Sequence, residues 1–148
     1  MEKERVIRIT DIQTNHNGDD TIEVTTRGYL RGDADDYSLH YEEHFGDGLV
    51  SKTEIRVRDK KSASIIRGGD IISEIMLEAG KRHSCSYQTP YGDMMIGIFT
   101  RDVSSTIDRR GGELRLNYTV DFNGSLGAHK EMLICVSDEL SDIPKPEA

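Results

Sequence analysis

Seven side chains in this chain have the types and spacing to hold a ligand: Tyr37, Tyr41, Glu43, Arg67, His83, Tyr87 and Tyr118. Each falls on the apolar phase of a segment that alternates between dry and wet positions. In "YSLHYEEH" (37–44) the phase carries Tyr37, Leu39, Tyr41 and Glu43. In "SASIIRGGD" (62–70) it carries Ala63, Ile65 and Arg67. His83, Cys85 and Tyr87 share one face of "RHSCSYQ". A buried tyrosine needs a partner for its hydroxyl. An inward guanidinium must be paired, because an isolated buried charge is too costly. Glu43 is the expected partner of Arg67. Such a set could orient an anionic or polar ligand. The same residues could equally form a structural polar cluster that closes one end of the molecule.

Catalytic signatures are absent. There is no Gly-x-Ser-x-Gly elbow, no phosphate-binding loop, no Cys-x-x-Cys and no His-Glu-x-x-His. His83 and Cys85 could join His129 and Cys135 as soft metal ligands, but two residues of separation on a strand is weak evidence. They read as buried thiols and partly exposed imidazoles, so neither a metal nor a cofactor is expected. The corner "QTPYGD" (88–93) is explained by geometry alone. Pro90 suits the second position of a tight turn, and Gly92 can take the positive φ that ends it.

The elements that position these residues are strands. "ELRLNYTVDF" (113–122) alternates strictly, with Leu114, Leu116, Tyr118, Val120 and Phe122 on one face. The pattern recurs in "TIEVTTRGYL" (21–30), which sets Ile22, Val24 and Leu30 on the dry side, and in "KTEIRVRD" (52–59) and "HKEMLICVS" (129–137). "DIISEIMLEAGK" (70–81) fits a strand or a short helix, with β-branched content favouring the strand. "TRDVSSTIDRR" (100–110) reads as irregular or bulged. Nine turn clusters, among them "NHNGDD", "DKKS" and "FNGS", divide the body into about ten strands joined by short connections. That is an antiparallel meander. Closure into a barrel removes its edges, and a two-sheet sandwich is the alternative.

Size and charge bound the function. A chain of 148 residues fits one domain, placed at 1–137, with an acidic, disordered tail at 138–148. The net charge of −8 argues against nucleic acid and against an anionic membrane surface. The charged start "MEKERVIRIT" has no apolar signal core, which points to the cytoplasm. Cys85 and Cys135 are expected to be free thiols in that compartment.

The order of "TTRGYL", "YSLHYEE", "IIRGGD", "AGKRHSCSYQTPYG" and "GGELRLNYTVDFNG" resembles the YwiB-like family of uncharacterised bacterial proteins, over residues 5 to 137. The Tyr87–Gly92 corner and the Gly111–Tyr118 strand carry most of the likeness. The resemblance implies an all-β fold: an antiparallel meander closed into a calycin-like β-barrel of about 8–10 strands, similar to lipocalins and fatty-acid-binding proteins. It brings no catalytic residue. The expected function is binding of a small polar or amphipathic ligand inside the barrel. The alternatives are an interaction or scaffold protein with a filled barrel, or an enzyme with an interior site.

Overall fold

The structure, a computed structural model, describes residues 3–15 and 17–138. The tail expected from residue 138 onward lies outside the described residues, apart from Asp138. Ten strands follow one another: β1 (Glu4–Asn15), β2 (Gly18–Gly32), β3 (Asp36–His44), β4 (Val50–Arg58), β5 (Ser62–Gly69), β6 (Ile72–Glu78), β7 (Arg82–Thr89), β8 (Gly92–Ser105), β9 (Gly112–Phe122) and β10 (Ser125–Ser137). Each pairs antiparallel with the next, and β1 pairs with β10 to close the barrel. The sole helical turn among the described residues is the 3-10 turn Gly46–Gly48 between β3 and β4. Among the described residues no helix is long and apolar enough to cross a membrane.

The ambiguous segment 70–81 is strand β6, flanked by turns. The polar segment 100–110 extends β8 to Ser105, and a register shift between Thr100 and Asp102 supplies the expected bulge. Turn chemistry follows residue type. Asn123 and Gly124 both take positive φ (54° and 86°), as a two-residue hairpin turn requires. At the 89–92 corner, the Thr89 hydroxyl donates to the Gly92 carbonyl at 2.7 Å and accepts from the Tyr91 amide at 3.1 Å. Gly92 has φ +136°.

Because the strands alternate in direction, the connections fall at two ends. One end is sealed. Ile7, Val57, Ala63, Leu77, Leu114 and Val136 are buried there in one cluster, together with Ile107 from the β8–β9 connection, which is 0% exposed. A polar tie holds this plug. The Tyr37 hydroxyl and the Ser105 hydroxyl hydrogen-bond at 2.6 Å, and the Ile107 amide donates to the same Ser105 oxygen at 3.2 Å. Cys85 faces this inner core, whereas Cys135 sits with Val6 in a small cluster on the outer face of β1 and β10. Both thiols are free.

Candidate functional site: the open half of the barrel

Toward the other end the interior is not filled. A cavity of about 780 Å³ runs from the barrel centre to its mouth. Ile75, Ile98 and Met132 line its deep part and are buried, while Ile22, Val24, Met94 and Phe122 line its mouth and are exposed. One side of this end is covered. The Ser51 hydroxyl donates to the Ile71 carbonyl at 2.8 Å and accepts from the Ile71 amide at 2.9 Å, which pins the β5–β6 connection over β4.

A polar layer crosses the barrel at one level. Cross-strand register places Tyr41 beside Thr53, Thr53 beside Arg67, Arg67 beside Ser73, and Ser73 beside Tyr87. Arg67 Nε donates to Glu43 Oε1 at 2.8 Å, and the Thr53 hydroxyl donates to the same oxygen at 2.7 Å. The Arg67 side chain is 11% exposed. The buried, paired arginine expected from strand phase is therefore present, with the expected partner. Only Nε of its guanidinium is engaged. No described residue accepts from its two Nη groups, and neither is among the sealed, unpartnered atoms. Arg67 is among the residues that line the cavity.

The electrostatics follow from crowding. Burial pulls the Arg67 pKa down, but the charge and hydrogen bond of Glu43, helped by Tyr87 and Tyr41, outweigh it and the net direction is up. Burial pushes the Tyr41 hydroxyl pKa up, and nearby Glu43 adds to this while Arg67 opposes it. Burial, then the charge of Asp11, does the same to Tyr118, whose hydroxyl meets the Met132 sulfur at 3.5 Å. Tyr41, Glu43, Arg67 and Tyr118 thus sit within each other's fields, neutral except for one ion pair.

Five of the seven expected residues line this cavity: Tyr41, Glu43, Arg67, Tyr87 and Tyr118. Two do not. Tyr37 belongs to the sealed end, where it bonds Ser105. His83 is also inward in phase, but it lies near the sealed end of β7, and its Nε2 meets Glu78 Oε1 at 2.9 Å. Asp11 was missed. It lines the cavity and pairs with Lys130 at 3.2 Å. Its signal was present, since Ile7, Ile9, Asp11 and Gln13 share one phase of β1. Ser73 was also missed; its hydroxyl is buried beside Arg67 without a hydrogen-bond partner among the described residues.

Comparison with known proteins places this architecture. The family described as a domain of unknown function, DUF1934, matches residues 7–134. The crystal structure of the ywiB protein from Bacillus subtilis is similar to this chain, with a TM-score of 0.83, 17% identity and 93% of each chain covered. At that identity the likeness speaks for the fold. No curated protein matches the chain.

Proposed function

The chain belongs to the DUF1934 family, a domain of unknown function, and we propose that it is a binding protein whose open half-barrel holds one small amphipathic molecule. The observation that carries this reading is the Arg67 guanidinium: buried, held by Glu43 through Nε, lining a largely apolar cavity, and with two Nη groups that no described residue engages. Pockets of roughly 300–1,000 Å³ with apolar walls and a few convergent polar groups are the usual form of small-molecule sites. The apolar wall takes the body of the ligand. Arg67 and the Tyr41 hydroxyl take an acceptor group at its inner end. Binding is favoured over turnover because the hydroxyl that a carboxylate holds in this layer, Thr53 on Glu43, is buried and does not line the cavity. The nearest thiol, Cys85, has its pKa raised by burial, only partly offset by Arg67, and a protonated thiol is a poor nucleophile.

The test is titration with the neutral fluorophore N-phenyl-1-naphthylamine, followed by competition with straight-chain amphiphiles. Saturable enhancement at one site per chain is expected. Ala128→Phe, which fills the lining at a buried small residue, should abolish it while leaving the circular dichroism of the strands unchanged. Absence of saturable binding, together with native mass spectra of host-purified protein that carry no extra mass, would overturn the proposal.

A further inference from the structure

Over residues 19–27 the strand that borders the cavity mouth is paired on one side only. β1 pairs with β2 in unbroken register from Gly18 to Tyr29. β3 pairs with β2 only from Gly28 to Gly32, and then runs on along β4 through Glu42, Glu43 and His44. Residues 19–27 of β2 therefore have no neighbouring strand on the β3 side. In an antiparallel strand, alternate residues direct N–H and C=O to opposite sides. Half of this nine-residue stretch thus offers unpaired backbone groups to a cleft. Across the cleft stand Glu42, His44 and Phe45, and all three line the cavity, as do Ile22, Val24, Thr25 and Thr26 from β2.

An exposed edge of this length invites pairing with another chain, and proteins normally block it with lysine, proline or a bulge. "DDTIEVTT" (19–26) contains neither lysine nor proline, and its register with β1 has no bulge. It is rich in β-branched residues, and its inward pair, Ile22 and Val24, is 62% and 47% exposed. The guard it does carry is negative charge. Asp19, Asp20, Glu42 and Asp47 are exposed around the cleft. Of the nearby cations, Arg27 is matched to Glu4, Arg67 to Glu43 and Lys130 to Asp11, and Lys52 stands opposite Glu42 in register.

We infer that this edge takes up an extended, basic peptide segment of another protein by strand addition, with alternate apolar side chains directed into the cavity mouth. Main-chain bonds to β2 supply the affinity, and alternate pockets supply the selectivity. A second copy of this chain is a poorer occupant. Each copy carries a charge of −8, and antiparallel pairing centred on Glu23 would set that carboxylate against its own counterpart. The inference stands on the register of β2 and does not require a small molecule in the interior.

The experiment uses the full chain and three capped octapeptides: lysine alternating with valine, glutamate alternating with valine, and the lysine peptide N-methylated along one edge. Binding is read by fluorescence anisotropy at 150 mM salt, and backbone protection by amide hydrogen exchange. The lysine peptide should bind and slow exchange at alternate amides between Asp19 and Arg27. The glutamate and N-methylated peptides should each bind at least about tenfold more weakly, about 1.4 kcal/mol. The pair Ile22→Lys and Val24→Lys, at exposed positions, should remove binding as well. Equal binding of the N-methylated peptide, which keeps the charge and loses the backbone donors, overturns strand addition. So does failure of every peptide to bind. Sedimentation as a dimer with the same amides already protected would assign the edge to a second copy and overturn the inference too.

Discussion

The sealed and open ends of the barrel are built from the same ten strands, and they differ in what the inward positions carry. At the sealed end these positions hold Ile7, Val57, Leu77, Leu114 and Val136, and a residue from a connection, Ile107, fills the centre. At the open end the same phases carry Asp11, Tyr41, Glu43, Arg67 and Tyr87. Side chains that carry charge or a hydroxyl cannot interdigitate into a dry core without partners, so this end keeps its space. The difference teaches that the same ten strands can pack one end dry and leave the interior of the other open.

The sharpest way to break this comparison is to truncate an equivalent side chain at each end. Leu114 is 0% exposed in the sealed cluster, and Leu114→Ala should cost about 3 kcal/mol, within the range for buried leucine truncations. Phe122 lies on the same face of the same strand, at the mouth, and is 45% exposed. Phe122→Ala should cost about 1 kcal/mol, because only about half of its surface leaves water on folding. Urea unfolding of both variants measures the contrast. Equal losses would mean that the mouth is packed as tightly as the plug.

Alkaline pH tests both ends together. Tyr37 at the sealed end is pushed by burial up to about 12, with its bond to Ser105 opposing the rise, and Tyr41 and Tyr118 at the open end are also raised. The unfolded chain has tyrosine pKa values near 10. Above that value the unfolded state gives up these protons first, so each buried tyrosine lowers stability as pH climbs toward its folded value. Stability should hold up to about pH 10 and then fall by about 2 kcal/mol per buried tyrosine by pH 12. Absorbance at 295 nm should show these tyrosines ionising only as the fold is lost. Deeper burial and the charge of Glu43 hold the Tyr41 proton more tightly than burial alone holds that of Tyr37, so Tyr37 should ionise before Tyr41, and that order would sharpen the distinction.

The sequence makes the strands and their faces legible, because alternation reports which side of a sheet a residue takes. Arg67 and Glu43 were found on that ground, and so was the barrel. Alternation does not report height along the barrel axis. Tyr37 and Tyr41 share a face but are four residues apart, roughly 13 Å along a strand, and that distance separates the plug from the cavity. His83 and Tyr87 differ in the same way. Height depends on cross-strand register, and register is a long-range property. The same gap explains Ile22 and Val24. Their phase is inward, but β3 leaves β2 before reaching them, so an inward residue stays exposed.

The Arg67–Glu43 pair carries the next effect. Glu43→Ala leaves a guanidinium in a site with little water, and it should cost about 2 kcal/mol; partial exposure of Glu43 (26%) keeps this below the loss for a fully buried pair. Replacing both residues together, Arg67→Met with Glu43→Leu, should recover most of that stability while abolishing selective retention of an acceptor-bearing ligand. Thermal melts of the single and double variants, with and without bound amphiphile, separate the two roles. A double variant as unstable as the single one would make the pair structural and would remove the contrast between the ends.

The smallest expected effect lies in a turn at the sealed end. Asp59 and Lys60 join β4 to β5, and both adopt left-handed φ, 54° and 59°. The Asn123–Gly124 turn at the open end meets the same demand with residues suited to it. Lysine pays a steric cost for a left-handed backbone, through its Cβ, that glycine avoids. Lys60→Gly removes that cost, while the greater freedom of glycine in the unfolded chain takes back part of the gain. The balance should be a stabilisation of about 0.5–1 kcal/mol, read as a higher urea midpoint at unchanged slope. The substitution also removes one positive charge next to Asp59, a small term at an exposed site. The matching change at the other end, Gly124→Lys, should destabilise by a similar amount. If Lys60→Gly instead lowers the midpoint, the left-handed pair at the sealed end is not strained, and tight packing at that end would have to be credited with holding the turn.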